Sequence, residues 1–269
     1  MKISVLGSGT SHGVPVVGCL CAVCTSSDPR DKRMRSSLYI EGAGGETVLI
    51  DAGPEFRLQA VRAGIKRLDA IFLTHAHADH THGLDDVRPL SRDNPIPVYG
   101  NQPSIEEMKE RFSYIWKITQ KGGGKPKLMP TVVSAPVQIG GLTFSPVPVK
   151  HGVLDILGWE IWENNSGKSF LYLTDTSSIP ESSKIQLSKP GCSRVIIIGG
   201  LRVTPHETHF SFAEALDASM ELSPIEVYLT HICHNHSHNE IEEFCRNYSE
   251  NLEAKIKIHP AWDNLVLSI

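Results

Sequence analysis

The chain reads as an α/β protein in which two β-sheets pack together with helices outside, and three observations point that way. Short runs of alternating or wholly apolar residues recur in both halves of the sequence. Helical stretches with recognisable caps are interspersed among them. The polar residues best suited to metal follow directly on apolar runs, above all in Thr74-His75-Ala76-His77-Ala78-Asp79-His80, which comes after Ala70-Ile71-Phe72-Leu73. A strand that delivers such residues into a turn can aim several imidazoles and a carboxylate at one point.

The elements justify themselves in chain order. Residues 2–6 form a first strand, and Gly7-Ser8-Gly9-Thr10-Ser11-His12-Gly13 makes a glycine-rich loop. That loop is not a dinucleotide fingerprint, because Val14-Pro15-Val16 stands where a helix would have to open. Its glycines let backbone approach a ligand closely. Residues 37–40 and 47–50 alternate like a strand pair, and the second strand ends in Asp51, an aspartate placed to accept the second N–H of a ligand histidine. Residues 54–63 suit a helix with proline at its start and Gly64 at its end. Residues 84–90 look helical, 97–99 form a short strand, and 104–112 form a charged amphipathic helix. The stretch 117–127, with Lys117, Lys121, Lys125 and Lys127 around three glycines, reads as a loop. Residues 131–137, 142–149, 158–163, 169–173 and 194–198 are strands. A helix over 211–222 opens with Ser211 and Glu214, a capping-box pair. Strand 226–229, helix 239–248 and strands 256–258 and 265–269 complete the sheets. With no repeat, linker or shift in composition, residues 1–269 read as one domain.

Composition narrows the function. The chain has 269 residues, 40% hydrophobic and 21% charged, with a formal net charge of −4. That balance disfavours a nucleic-acid reader relying on a generally basic surface. No stretch is long and apolar enough to span a bilayer, and Met1-Lys2-Ile3-Ser4-Val5-Leu6-Gly7 is too short an apolar run for a signal peptide. A reducing cytoplasm is expected, where the six cysteines point to metal before disulfides. Cys19, Cys21 and Cys24 can turn three thiolates onto one zinc ion, which then needs a fourth ligand from elsewhere. Thirteen histidines are the outlier.

His75, His77, Asp79, His80, His151, Asp175 and His231 each lie at or just after the end of a predicted strand. They are too many for one four-coordinate ion and suit two divalent ions, zinc or manganese, sharing a carboxylate. Such a pair can clamp the attacking and leaving oxygens of a hydrolytic displacement and bring a bridging water toward ionisation at neutral pH.

The Thr-His-Ala-His-Ala-Asp-His run, with His151, Asp175 and His231 following in order, resembles the metallo-β-lactamase-fold superfamily. The resemblance implies a four-layer αββα sandwich. It assigns His75, His77 and His151 to one metal, Asp79, His80 and His231 to the second, and Asp175 to the bridge. Aspartate at 175, where true β-lactamases usually carry cysteine or serine, is similar to the hydrolases of thioesters and phosphodiesters. Gly7-Ser8-Gly9-Thr10-Ser11-His12-Gly13-Val14-Pro15, followed by Gly18, Cys19, Cys21 and Cys24, resembles the phosphodiesterase branch and the family of phosphonate-pathway phosphoribosyl cyclic phosphodiesterases. That family has a structural zinc here, which implies His234 as the fourth ligand, with Cys233, His236 and His238 as neighbours that compete for the place. The resemblance also makes His209, before the 211–222 helix, the general acid or phosphate-stabilising residue, ahead of nearby His206. With Asp79 and Asp175 it completes the catalytic set.

The expected activity is phosphodiester hydrolysis by a metal-bridging hydroxide, on a small anionic substrate such as a ribose cyclic phosphate or a nucleotide. Arg35, Arg88, Lys150 and Arg202 are candidate phosphate contacts. The alternatives are a tRNA 3′-processing endoribonuclease, for which the 117–127 loop is a short arm, a thioester hydrolase, or a non-catalytic ligand-binding protein. A homodimer is what the resembling family suggests.

Overall fold

A computed structural model describes residues 1–118, 124–188, 194–252 and 256–269. Two seven-stranded sheets form its centre. The first holds β1 (Lys2–Gly7), β2 (Ser37–Glu41), β3 (Thr47–Ile50), β4 (Ala70–Phe72), β5 (Ile96–Gly100), β6 (Leu128–Val132) and β14 (Val266–Ser268), in the order β14-β1-β2-β3-β4-β5-β6. The second holds β7 (Val137–Ile139), β8 (Leu142–His151), β9 (Leu154–Glu163), β10 (Lys168–Leu173), β11 (Arg194–Gly199), β12 (Pro224–Thr230) and β13 (Lys257–Pro260), in the order β13-β12-β11-β10-β9-β8-β7.

Strand periodicity explains the layers. Successive side chains point to opposite faces, so a strand buried on both sides is apolar throughout. Ile50 and Phe72 of the first sheet meet Phe144, Trp159, Phe170 and Tyr172 of the second in one core. Phe72 stacks on Phe144 with centroids 4.1 Å apart. The alternate residues Leu49, Ile71 and Leu73 face outward onto α1 (Phe56–Ala63) and α3 (Gln102–Arg111), which contribute Phe56, Ile105 and Met108. On the far side, Leu171, Leu173, Ile196 and Ile198 pack against α4 (Glu181–Leu187), α5 (Phe212–Met220) and α6 (His238–Glu250). The result is the αββα sandwich that the sequence predicts. No helix of the described residues is long and apolar enough to cross a membrane.

Two expectations need correcting. The single strand expected over 131–137 is two strands in different sheets, β6 and β7. Pro130 is tolerated because β6 is an edge strand, and Pro136 ends pairing where the chain crosses over. The short helix α4 is absent from the sequence reading because its capping position is Pro180, whose side chain offers no cap hydrogen bond. The lysine-rich loop expected over 117–127 falls partly outside the described residues.

The fold positions chemistry at one rim, where the one-turn helix α2 (Ala78–Thr81) follows the His-rich turn after β4. Strands β3, β4 and β5 run parallel, as do β10, β11 and β12. Asp51, His75, Asp175 and His231 therefore leave the carboxyl ends of their strands on the same side. Asp51, Asp175 and His231 all have positive φ, at 59°, 53° and 56°. A non-glycine residue held there stores local strain, of order 1–3 kcal/mol each, which surrounding contacts must offset.

Candidate metal centres

The turn after β4 is built around Asp51, a fully buried carboxylate. It accepts hydrogen bonds from the Thr74 amide and hydroxyl, both at 2.8 Å, and from Nδ1 of His80 at 2.7 Å. Thr74 Oγ1 lies 3.0 Å from Nδ1 of His75 and, with its own proton on Asp51, accepts from it. The carbonyl of Thr208 accepts from Nδ1 of His151 at 2.7 Å. Ring protons fixed on Nδ1 leave the Nε2 lone pairs of His75, His80 and His151 free to bind a cation. His231 is held between Thr10 Oγ1, 3.1 Å from Nε2, and Ser36 Oγ, 3.2 Å from Nδ1.

The ligand atoms of His75, His77 and His151 lie within 4.8 Å of one another, as do those of Asp79, His80, Asp175 and His231. A third group, His151, Asp175 and His209, links the two sets. Nε2 of His80 is 3.1 Å from oxygens of both Asp79 and Asp175, yet it makes no hydrogen bond, and neither does the buried Nε2 of His75. Buried polar atoms are normally paired. Nitrogens and carboxylate oxygens crowded together without hydrogen-bond geometry fit a divalent cation.

Electrostatics agree. Burial opposes the charged form of His80, but the carboxylates of Asp175, Asp79 and Asp51 outweigh it and hold its pKa well above the usual histidine value, so the place favours positive charge, which a bound cation would supply instead of the second ring proton. Burial likewise opposes ionisation of Asp175, and His231 and His80 overcome it, so its pKa falls well below the carboxylate range. Asp79 is lowered in the same way, with His80 as the main counterweight to burial. Burial, reinforced by His80, pushes His75 far down and keeps it neutral, as a ligand must be.

His209 sits between the two sets. Its ring stacks on His231 with centroids 5.0 Å apart and tilts against His151 at 4.6 Å. Burial first, and then the neighbouring His231, lower its pKa to about 3. His206, the competitor, is exposed and 5.3 Å away by ring centroid. The capping box of Ser211 and Glu214 is present and fixes the start of α5 just beyond His209.

The cysteine loop closes on His234. Nδ1 of His234 is 3.4 Å from the sulfur of Cys19, 3.5 Å from that of Cys21 and 3.4 Å from that of Cys24. Its rivals are engaged elsewhere. Cys233 donates to Asn235, His238 contacts Arg33, and His236 lies against Phe212. The Cys24 amide, then the His234 ring, lower the Cys21 thiol to about 6, whereas burial raises Cys24 to about 11.

The candidate phosphate contacts divide. Arg35 is paired with Glu55 and the Ser11 carbonyl, Lys150 with Asp155 at 2.6 Å, and Arg88 with the Gly124 carbonyl. Arg202 lines a cavity with His209. Sequence reasoning anticipated Asp51 but missed Thr10, Ser36 and the Thr208 carbonyl, which reach the histidines only through long-range folding.

Together the fold and the clustered candidate ligands are those of a metallo-β-lactamase-fold protein. The family model described as "Beta-lactamase superfamily domain" matches residues 46–232, and the chain belongs to that superfamily. A crystal structure of a new diphosphatase from the PhnP family superposes with a TM-score of 0.84 at 39% identity, covering 100% of this chain and 97% of that one. Zinc-bound PqqB from Methylobacterium extorquens shares the fold, with a TM-score of 0.78 at 19% identity and 100% coverage of both chains. An octanoyltransferase of Porphyromonas gingivalis is 39% identical over 237 residues, which are 87% of this chain and 46% of that protein. The chain thus spans less than half the length of the first curated relatives it matches.

Proposed function

We propose that the protein is a metal-dependent phosphodiesterase acting on a small phosphate-bearing substrate, with the seven side chains of the rim holding two divalent cations. The observation that carries this reading is the meeting of two ligand groups, His75–His77–His151 and Asp79–His80–Asp175–His231, beside a half-buried histidine, His209, that belongs to neither. Similarity to the diphosphatase supports phosphoryl chemistry. The acyl-transfer name of the Porphyromonas protein applies to a longer chain, of which the match covers 46%.

Zinc or manganese bound there would lower the pKa of water and offset charge on the phosphoryl oxygens. The chain's own residues do the rest. Asp51, Thr74 and the Thr208 carbonyl fix the faces that His80, His75 and His151 present. Asp79 and Asp175 stay ionised and orient the attacking water. His209, held neutral by burial, donates a ring N–H to a phosphoryl oxygen as negative charge develops, in the manner of an oxyanion donor. Of the two roles weighed for this residue, phosphate stabilisation therefore suits its surroundings better than proton donation. Cys19, Cys21, Cys24 and His234 would hold a structural zinc that ties the glycine loop to the segment following His231.

The test is turnover by manganese- or zinc-loaded protein on bis(p-nitrophenyl) phosphate, a ribose cyclic phosphate and a nucleotide diester, with a thioester as control. Hydrolysis of at least one phosphodiester is expected. Thioester hydrolysis with no phosphodiester turnover would replace this reading.

A further inference from the structure

His231 is held unlike the other ring ligands. The rings of His80, His75 and His151 are oriented by Asp51, by Thr74 bonded to Asp51, and by the Thr208 carbonyl. Apart from its fellow ligand Asp175 and a long contact to Thr174, His231 has two hydroxyls, Thr10 Oγ1 beside Nε2 and Ser36 Oγ beside Nδ1. A hydroxyl turns to suit its partners. What it enforces on a ring therefore depends on how firmly its own backbone is placed.

One carboxylate places both backbones. Asp263 is buried, and its Oδ1 accepts from the Ser8 amide at 2.9 Å and the Ser8 hydroxyl at 3.0 Å, while its Oδ2 accepts from the Met34 amide at 2.9 Å. Ser8 precedes Thr10 by two residues, and Met34 precedes Ser36 by two. The two segments are then bonded to each other and to the residue after His231. The Gly9 amide donates to the Met34 carbonyl at 2.8 Å, the Ser36 hydroxyl to the Gly9 carbonyl at 3.0 Å, and the Ile232 amide to the Ser8 carbonyl at 2.9 Å. A Cβ on Gly9 would lie 2.8 Å from the Arg33 carbonyl, so only glycine lets the two backbones come this close.

Asp263 occupies the connection from β13 in the second sheet to β14 in the first. β13 pairs with β12, which delivers His231, and β14 pairs with β1, which leads into the glycine loop. The carboxylate thus ties the two sheets together where a ligand from the second meets hydroxyls from segments flanking strands of the first. Arg62 Nη1, 3.6 Å from Oδ2, supplies the counter-charge.

We propose that Asp263 is a positioning residue for His231. Through Thr10 and Ser36 it raises the affinity of the Asp79–His80–His231 set for its cation and leaves the His75–His77–His151 set unchanged. The inference rests on the paired-cation reading above. It adds to that site a residue that, among the described residues, makes no hydrogen bond or ion pair with any rim ligand. Asparagine at 263 keeps the shape but carries one acceptor oxygen. Whichever way its amide turns, the NH2 faces the N–H of Ser8 or of Met34, and one segment comes loose. The loss is that of about one hydrogen bond passed on to a ligand, roughly tenfold in affinity.

The experiment titrates manganese into the full chain, stripped of metal, and follows electron paramagnetic resonance, which separates single ions from spin-coupled pairs. Thiolates favour zinc, so the cysteine loop does not compete for manganese. Wild type should take up two rim ions per chain. In Asp263→Asn the first should bind as in wild type and the second about tenfold more weakly, with single-ion signal persisting to higher manganese. The pair Thr10→Val and Ser36→Ala should show the same loss. Adding Asp263→Asn to that pair should weaken the second ion by less than about twofold more, because all three changes act through one contact. A purely structural role would weaken both ions, or add its full effect in that background. If Asp263→Asn does not fold, Ser8→Ala decides, since it deletes a single bond to Asp263, and the second ion should bind about threefold more weakly. Unchanged affinities, equal weakening of both ions or additive losses overturn this inference alone. Wild type that binds a single rim ion overturns the paired-cation reading as well.

Discussion

Replacing Asp51 with asparagine is the sharpest perturbation of the site that leaves its shape intact. Asp51 touches no substrate, yet its carboxylate accepts three hydrogen bonds in a fully buried place. An asparagine amide cannot accept them all. If its NH2 faces His80, it must donate to Nδ1, and the ring proton moves to Nε2, the nitrogen aimed at Asp79 and Asp175. If the amide flips, its NH2 opposes the Thr74 amide. One arrangement blocks a ligand nitrogen and the other strands a buried donor, at about 1–3 kcal/mol or more. Metal affinity at the Asp79–His80–His231 set should drop roughly 10- to 100-fold, and phosphodiester kcat/KM should fall with it at limiting metal. The assay is competitive metal titration against a chelating dye, with turnover measured at each metal concentration. Excess metal should restore part of the rate. An Asp51→Asn protein that binds metal with wild-type affinity and keeps wild-type kcat/KM would refute the orienting role of Asp51.

Two further outcomes follow from the geometry. His209→Ala should lower kcat by about 10²–10³, the scale of a lost oxyanion donor, while metal content stays at the wild-type value. A matched loss of metal would make His209 a ligand instead. In metal-stripped protein the Cys21 thiol should ionise with a midpoint near 6, seen as thiolate absorbance that vanishes in Cys21→Ser, while Cys24 stays protonated to about 11. Because the folded pKa of Cys21 is depressed, its thiolate is present above that midpoint and is lost as pH falls through it. No thiol ionising below the ordinary cysteine range would contradict the arrangement around His234.

Much of the molecule was legible because its signals are local. The apolar run of β4 ending in a His-rich turn fixes both a strand and a site, and the capping box at Ser211 fixes the start of α5. Asp51 could be anticipated because a ligand imidazole wants an acceptor and an aspartate ends the adjacent strand. The rest depends on chain crossing long distances. Thr10 and Ser36 reach His231 across 221 and 195 residues, and although the glycine loop around Thr10 stands out, nothing local names His231 as the partner of either. The partner of His151 is a backbone carbonyl, which any residue at position 208 would supply. The division of 131–137 between two sheets falls at Ser134-Ala135-Pro136, between the β-branched residues that a propensity reading joins into one strand.

The most direct measurement is anomalous diffraction from crystals grown with manganese or zinc. Two peaks about 3.5–4 Å apart should lie between His75–His77–His151 and Asp79–His80–His231, with Asp175 touching both. One peak, or two that leave Asp175 or His231 without a metal contact, would contradict the paired-cation site.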